Sequence, residues 1–169
     1  SDKITFPGVW ANSCCSHPLD IEGERETDDA SGVRNAAVRK MEQELGIPIG
    51  TISQESLQFV TRMEYEARMN EVWVEHEIDH VLVTRANVEV NPNPNEIDEC
   101  RWVTQNELED MVKAHNAGEL VIAPWFDLIR INLLKDWWND IDDMSKHVDG
   151  VIHRFIKERP DRAGLSMME

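Results

Sequence analysis

Two carboxylates at strand spacing, Glu75 and Glu77, are the first residues of the chain that could carry chemistry. Alternate side chains of a strand project from one face, so these two lie about 6 to 7 Å apart along the backbone while His76 points away. Such a face could hold a cation. Without a cation, a buried carboxylate has a raised pKa and could donate a proton. The alternative interpretation is a solvent-facing acidic edge.

The run from Cys14 to His17 is a second candidate, because it ends an apolar segment that we expect to be a strand leading into an exposed loop. A thiol at such a corner could act as an acid, a base or a nucleophile. Adjacent side chains of an extended chain point in opposite directions, so at most one of Cys14 and Cys15 faces a given site. His17 offers the imidazole that zinc prefers, although a lone histidine before a proline also fits a loop.

Residues 39–47 resemble the end of the Nudix signature, whose glutamates bind divalent metal on a diphosphate substrate. Here Lys40, Gln43 and Ser31 occupy glutamate positions and only Glu44 remains. This degenerate signature favours the Nudix fold and argues against hydrolysis. Glu44 falls in the last turn of a predicted helix, where the macrodipole disfavours an anion, so a metal would explain its position. An exposed side chain is the alternative.

Two aromatic residues could complete a site. Tyr65, the only tyrosine, falls on the apolar face of a predicted strand beside the one that carries Glu75 and Glu77. Its hydroxyl could hydrogen-bond a carboxylate and extend a proton path, or it could belong to the core. Trp125 begins a predicted helix, where its ring could stabilise a cation by about 2 kcal/mol in a dry cleft, or simply pack in the core.

The elements that must position these residues follow from periodicity. Apolar residues at helical spacing predict a helix over 30–45 that ends at Gly46, after a charged run that we expect to be a solvated loop. Alternation predicts a strand over 57–67 and a partner over 72–84, joined as an antiparallel hairpin. The first of these strands is expected to present one face made of Phe59, Thr61, Met63, Tyr65 and Ala67. The solvated run is Glu22 to Asp29, and the expected N-terminal strand lies within Ile4 to Cys15.

Later elements complete an α+β prediction. Thr104 with Glu107 forms a capping-box pattern for a helix, and a short strand is expected before it at 100–103. From Pro124 onward the chain is predicted to be helical. Strands and helices mixed in this order predict a single domain over 1–169 in which helices pack on a mixed sheet.

The composition limits the classes of function. The 169 residues carry 17 Lys+Arg against 33 Asp+Glu, a formal charge of -16, which works against binding to nucleic acid or anionic membranes. No apolar run approaches the roughly 18 residues of a membrane span. Three cysteines do not make a disulfide framework and favour a reducing compartment. An anionic ligand would need a few placed cations or a metal.

Four segments together resemble type I isopentenyl diphosphate isomerase. They are a cysteine segment at 3–19, a modified Nudix helix at 32–48, a glutamate strand at 75–79 and aromatic helices at 124–138. They occur in order over nearly the whole chain to Trp138. The resemblance implies a Nudix-like mixed sheet flanked by helices. It also implies conversion of isopentenyl diphosphate to dimethylallyl diphosphate in isoprenoid biosynthesis, by protonation and deprotonation through a tertiary carbocation.

The resemblance assigns roles to residues of this chain. Cys15 and Glu77 become the acid and base on opposite sides of a dry pocket, in an order that stays open. Tyr65 then supports Glu77, and Trp125 faces the cation. The resemblance implies a divalent metal (zinc, manganese or magnesium), a magnesium ion that bridges to the diphosphate, and direct substrate contacts. The residues are His17, Glu75 and Glu77 for the first metal, Glu44 for magnesium, and Lys3, Ser16 and Lys40 for the substrate.

The family's metal site also takes two histidines, and its diphosphate site an arginine, from a stretch before the cysteine segment. We therefore expect this chain to have the fold but weak metal retention and little activity, and we expect the full-length protein to be active. We expect a monomer that binds a small diphosphate, without nucleic acid or membrane, in the cytoplasm, with peroxisome and plastid left open. The alternatives are a Nudix pyrophosphohydrolase, which Lys40 and Gln43 disfavour, and an inactive Nudix-fold binding module.

Overall fold

A three-stranded mixed sheet forms the centre of the fold in the computed structural model, which describes residues 6–15 and 17–156. Strands β1 (Gln58–Arg68) and β2 (Val74–Val83) pair as the predicted antiparallel hairpin. A short strand, β3 (Ile152–Arg154), runs parallel to β1 on its other side. The order β2-β1-β3 makes β1 the central strand, which explains why its inward side chains are almost fully buried.

A bulge in β1 changes which residues share a face. The pairing with β2 shifts register between Phe59 and Thr61, so Thr61 and Tyr65 face the core while Phe59 turns to the opposite face. There the Phe59 ring packs 5.7 Å from the ring of His80. The prediction that Phe59 shares the Tyr65 face was therefore wrong, because a bulge inverts the alternation of a strand.

Helix α1 (Ser31–Leu45) follows a 3-10 helix at Asp28–Ala30 and ends as predicted at Gly46. Gly46 adopts the left-handed conformation, with φ of 65°, and a side chain there would collide with the carbonyl oxygen of Asn91. The loop that contains Asn91 hydrogen-bonds the last carbonyls of α1. The inward face of α1 contributes to a hydrophobic cluster made of Met41, Leu45, Ile47, Ile52 and Leu57.

Two of the predicted strands are absent from the described residues. From Phe6 to Cys15 the chain makes only an isolated parallel bridge, between Trp10 and Ile122. Residues 100–103 lie outside the sheet, directly before helix α2 (Gln105–Asn116). Both predictions were wrong because apolar, β-branched composition does not supply the neighbouring strand that a ladder requires. The capping box that begins α2 at Thr104 is confirmed.

The C-terminal part packs helices on one face of β1. Helix α3 (Pro124–Ile129), a π-helical segment (Arg130–Leu134) and helix α4 (Lys135–Asn139) follow one another directly. After a 3-10 helix at Met144–His147 the chain returns to the sheet as β3, so the prediction of helix throughout this region was wrong. Backbone groups on both sides of β3 form hydrogen bonds to β1, and these bonds hold the short strand against it. The resulting core is Val60, Met63, Tyr65, Ala67, Ile129, Trp137 and Met144.

Two further features complete the fold. A 3-10 helix at Gln54–Ser56 connects the α1 region to β1. Among residues 6–15 and 17–156, no helix has the length and apolar character to cross a membrane.

Candidate active site

One face of β2 carries three carboxylates in a row. Glu75, Glu77 and Asp79 are half-buried, while the residues between them are exposed. Tyr65 is paired with Glu77 across the hairpin, so its side chain lies on the same face. The Tyr65 hydroxyl lies 3.2 Å from Glu75 Oε2 and 3.1 Å from Glu77 Oε2. A single buried phenol therefore bridges the two carboxylates that the sequence singled out.

The environment keeps Tyr65 protonated. Burial raises the pKa of Tyr65 above its usual range, and the negative charges of Asp79 and Glu77 raise it further. A phenol that retains its proton donates hydrogen bonds to carboxylates and stabilises their charged form. Tyr65 therefore acts in this site as a hydrogen-bond donor.

His17 approaches the other oxygen of Glu77. Its Nε2 atom lies 3.0 Å from Glu77 Oε1, so the Glu77 carboxylate is held between His17 and Tyr65. The His17 side chain is 79% exposed, and few side-chain contacts restrict its position. His17, Glu75 and Glu77, which the family resemblance implies as metal ligands, thus lie together at one place.

Asp79 is a member of this face that the sequence analysis left without a role. Burial raises its pKa to about 6, the neighbouring charge of Glu77 raises it as well, and His17 acts in the opposite direction. The signal was present in the sequence, because Asp79 lies two residues beyond Glu77 and the period of a strand places both on one face.

Cys15 lies close enough to this face to respond to its charges. The residue as a whole is exposed. Nevertheless, surrounding protein removes water from the thiol, and together with the negative charges of Asp79 and Glu77 this raises the pKa of Cys15 well above its ordinary value. The thiol therefore holds its proton at neutral pH. Cys14 packs against the α1 hydrophobic cluster, so the two adjacent cysteines serve different surroundings.

Trp125 lies beside Tyr65. The ring centroids are 6.3 Å apart, and the ring of Phe6 contacts Trp125 from another side at 5.7 Å. The indole Nε1 donates to Asn12 Oδ1 at 3.1 Å, and the Asn12 amide donates to the carbonyl of Cys14 at 2.8 Å. Asn12 thus links Trp125 to the cysteine segment. No local pattern marks Asn12, because its partner lies 113 residues away.

Glu44 is buried, so the interpretation of Glu44 as an exposed residue was wrong. Its Oε1 atom lies 3.1 Å from the ammonium of Lys40, one helical turn earlier. Glu44 lies near enough to Cys15 for its charge to raise the pKa of that thiol. The end of α1 therefore contributes a carboxylate and an ammonium group to the same region as the carboxylates of β2.

Glu24 is also buried, within the run that was expected to be a solvated loop. Arg39 of α1 binds its carboxylate with two nitrogen atoms, at 2.5 and 2.8 Å. Because Arg39 accounts for the buried charge, the expectation of solvation was wrong for this residue. Charge runs alone do not reveal such a partner, which lies 15 residues away.

The donor types of this site suit a divalent metal. No group of three or more His, Cys, Asp or Glu side chains within the described ranges has the arrangement of a metal site as it stands. Still, ligand atoms about 2.1 Å from a metal are about 3.0 to 3.4 Å apart from each other, and His17 Nε2 and Glu77 Oε1 are 3.0 Å apart. The pair forms a hydrogen bond at this distance, and the same separation is compatible with two ligands of one ion. Lys3 and Ser16, expected to contact substrate, lie outside the described residues.

Comparisons with known proteins point in one direction. The family model of the NUDIX domain matches residues 2–126. The chain is 44% identical over 153 residues to Isopentenyl-diphosphate Delta-isomerase 1 of Mesocricetus auratus, covering 90% of this chain and 67% of that protein. It is 44% identical over 156 residues to the isopentenyl-diphosphate delta-isomerase of Schizosaccharomyces pombe, with the same coverages. It is also 44% identical over 142 residues to the chloroplastic Isopentenyl-diphosphate Delta-isomerase II of Arabidopsis thaliana, covering 83% of this chain and 50% of that protein.

Proposed function

Because the chain belongs to the isopentenyl-diphosphate delta-isomerase family of NUDIX-domain proteins, we propose that it converts isopentenyl diphosphate to dimethylallyl diphosphate. The observation that carries this proposal is the position of Glu77, held between Tyr65 and His17 on the face of β2 that also affects Cys15. An isomerase of this kind needs two proton-transfer groups near one substrate and no water or nucleophile that would capture the cation.

We assign the two proton transfers to Cys15 and Glu77. One of them adds a proton to the terminal alkene carbon, which forms a tertiary carbocation. The other then accepts a proton from the methylene carbon next to the cationic carbon, and the double bond forms between these two carbons. The substrate gains one proton and loses one, so its composition is unchanged. The raised pKa of Cys15 supports this assignment, because the thiol retains a proton that it can give.

Tyr65 and Trp125 support the charges that arise. The Tyr65 hydroxyl donates toward Glu77 and so orients the carboxylate that exchanges the proton. The electron-rich face of Trp125, beside Tyr65, attracts a carbocation as it would any cation. Such attraction is stronger where water is absent.

We propose that His17, Glu75 and Glu77 hold a divalent metal (zinc, manganese or magnesium) and that Glu44 holds magnesium. When bound, these ions supply the positive charge that offsets both the carboxylates and the diphosphate of the substrate. Lys40, which contacts Glu44, provides an ammonium group near the same place. Lys3 and Ser16 stay predicted substrate contacts. Few cations on a chain of charge -16 are thereby enough to bind an anion.

We propose a monomeric enzyme of the cytoplasm that binds neither nucleic acid nor membranes. The acidic charge and the absence of a disulfide among Cys14, Cys15 and Cys100 support this, and light scattering of the purified protein and fluorescence microscopy of a tagged protein would test it. A dimer would contradict the proposed monomer. A plastid location, like that named for the Arabidopsis thaliana relative, would contradict the proposed cytoplasmic location.

Replacement of Cys15 tests the mechanism. In the full-length protein, we expect Cys15→Ala to lower the rate of isomerisation of labelled isopentenyl diphosphate by about 10²- to 10⁴-fold, because a proton-transfer group is lost. Cys100→Ala is the matched control, since Cys100 is another exposed free cysteine and lies in the loop before α2. Full turnover by Cys15→Ala would contradict the mechanism. Phosphate release from nucleoside diphosphate derivatives would favour the hydrolase alternative.

A further inference from the structure

The buried ion pair between Glu24 and Arg39 connects the segment that carries His17 to helix α1. Arg39 Nε lies 2.5 Å from Glu24 Oε1, and Nη2 lies 2.8 Å from Oε2, which is the two-point geometry of a guanidinium on a carboxylate. The hydrogen bonds from Arg39 hold the pKa of Glu24 below its usual range despite burial. This carboxylate is therefore charged, and its charge is matched by one partner.

The same two side chains also bind the backbone at the other end of the segment. Arg39 Nη2 donates to the carbonyl oxygen of His17 at 3.2 Å. The amide of Leu19 donates to Glu24 Oε2 at 2.7 Å. Residues 17–24, which we call the His17 segment, are thus fastened to α1 near both ends by one ion pair. Arg39 Nη1 donates to Gln43 at 3.0 Å, which fixes the guanidinium along the helix.

Close backbone packing shows that this attachment is built into the fold. A methyl group at Gly32 would lie 2.5 Å from the carbonyl oxygen of Glu24, so only glycine allows this approach. The amide of Gly32 donates to the carbonyl of Glu26, and Asn35 donates to the carbonyl of Gly23. The backbone around Glu24 therefore lies directly on the first turns of α1.

His17 itself depends on this attachment, because its side chain is exposed. Its position 3.0 Å from Glu77 is set by where its backbone lies. We propose that Glu24 and Arg39 are positioning residues, whose ion pair holds the His17 segment on α1 and thereby places the imidazole against Glu77. The catalytic consequence of this placement rests on the proposed function, whereas the placement itself is a structural claim.

A second ion pair, between Asp20 of the His17 segment and the adjoining Arg25, provides a matched control. Arg25 Nε lies 2.5 Å from Asp20 Oδ1, but the Asp20 side chain is 93% exposed and that of Arg25 is 59% exposed. Exposed pairs of this kind contribute little to structure. Asp20→Asn and Arg25→Gln therefore remove one charge each from the same region without releasing the His17 segment from α1.

The experiment compares Glu24→Ala and Arg39→Lys with these two controls in the whole chain. Lysine keeps the positive charge but lacks the planar group that can bind Glu24 and the His17 carbonyl together. We expect both variants to exchange the Leu19 amide proton at least about tenfold faster and to shift or broaden the NMR signals of the His17 imidazole. In the full-length protein, we also expect kcat/KM for isopentenyl diphosphate to fall by about 10- to 100-fold. The controls should stay within about twofold of the parent in every measurement.

Thermal unfolding followed by circular dichroism identifies variants that are not folded, and Glu24→Gln replaces Glu24→Ala if that variant fails. Unchanged Leu19 exchange and unchanged His17 signals in a folded Glu24 or Arg39 variant would overturn the proposal. Equal effects in the Asp20 and Arg25 controls would also overturn it. A displaced His17 with full turnover would support the positioning role and contradict only the part that the proposed function gives to His17.

Discussion

The two halves of the candidate site are held in place by different interactions. Tyr65, Glu75 and Glu77 stand on the β1–β2 hairpin, where a continuous antiparallel ladder fixes each side chain. Cys15 and His17 lie in the stretch from Phe6 to Glu24. The described residues of this stretch join the backbone of the rest of the chain through a single bridge, at Trp10. Ladder positions are fixed by backbone hydrogen bonds, whereas the positions of this loop depend on side chains elsewhere. The geometry of the site is therefore most sensitive to change on the loop side.

Glu77→Gln tests the claim that the hairpin half can lose function without losing structure. We expect kcat to fall by about 10²- to 10⁴-fold, because an amide cannot exchange a proton as a carboxylate does. The ladder pairing with Tyr65 involves backbone, and glutamine still accepts a hydrogen bond from the phenol. The measurements are isomerase kinetics of the full-length protein and thermal unfolding.

Glu71→Gln is the matched control for Glu77→Gln, since Glu71 is exposed in the turn of the same hairpin. It should keep the activity of the parent. Two results would break the comparison: wild-type turnover by Glu77→Gln, or a loss of fold in that variant, which would mean that the hairpin depends on this side chain.

Gly32→Ala perturbs the loop half while leaving the hairpin alone. The added methyl group would lie 2.5 Å from the carbonyl of Glu24, so the His17 segment must move. We expect the free energy of unfolding, measured in urea, to fall by about 1 to 3 kcal/mol, as for other overpacked sites. Hydrogen exchange of the Leu19 amide should also become faster, while amides of β1 stay protected.

Gly150→Ala provides the comparison for Gly32→Ala, because no heavy atom beyond its two chain neighbours lies within 4 Å of the position that its methyl group would take. Its unfolding free energy should change by less than about 0.5 kcal/mol. If β1 amides open together with Leu19 in Gly32→Ala, the two halves form one cooperative unit and the distinction between them fails.

The same contrast decides what could be predicted from sequence. Alternation over 57–67 and 72–84 predicted the hairpin and the shared face of Glu75 and Glu77, because a strand repeats every two residues. In the loop half, residue type marked Cys14, Cys15 and His17 as candidates, and the family resemblance selected Cys15 and His17. Its supports could not be predicted, because the partners of Glu24 and Asn12 lie 15 and 113 residues away and follow no period.

Strand β3 escaped prediction for a related reason. Three residues are too few to show a period, and Ile152–Arg154 becomes a strand only because β1 offers a free edge beside it. The position of Asp79, in contrast, could be predicted, because extending the alternation by two residues from Glu77 places it on the same face as the site. Local rules thus predict the hairpin half well, and tertiary contacts decide the rest.

Asp79→Asn removes one of the three neighbouring carboxylates of the hairpin half and tests whether its charge destabilises the fold. The pKa of Asp79 is raised to about 6 in the folded protein, first by burial and then by Glu77. A folded-state pKa above the unfolded value means that protonation favours the fold. This stabilisation is fully present below about pH 4 and is lost as pH rises through about 6.

In the presence of a metal chelator, we therefore expect Asp79→Asn to raise the free energy of unfolding by about 1 to 2 kcal/mol at neutral pH and to change it little near pH 4. Urea unfolding of the parent and the variant at both pH values is the measurement. If the unfolding free energies of the parent and the variant depend on pH in the same way, the charge of Asp79 does not destabilise the fold. A gain restricted to neutral pH would mean that the hairpin half tolerates an unfavourable negative charge, which a bound cation would relieve.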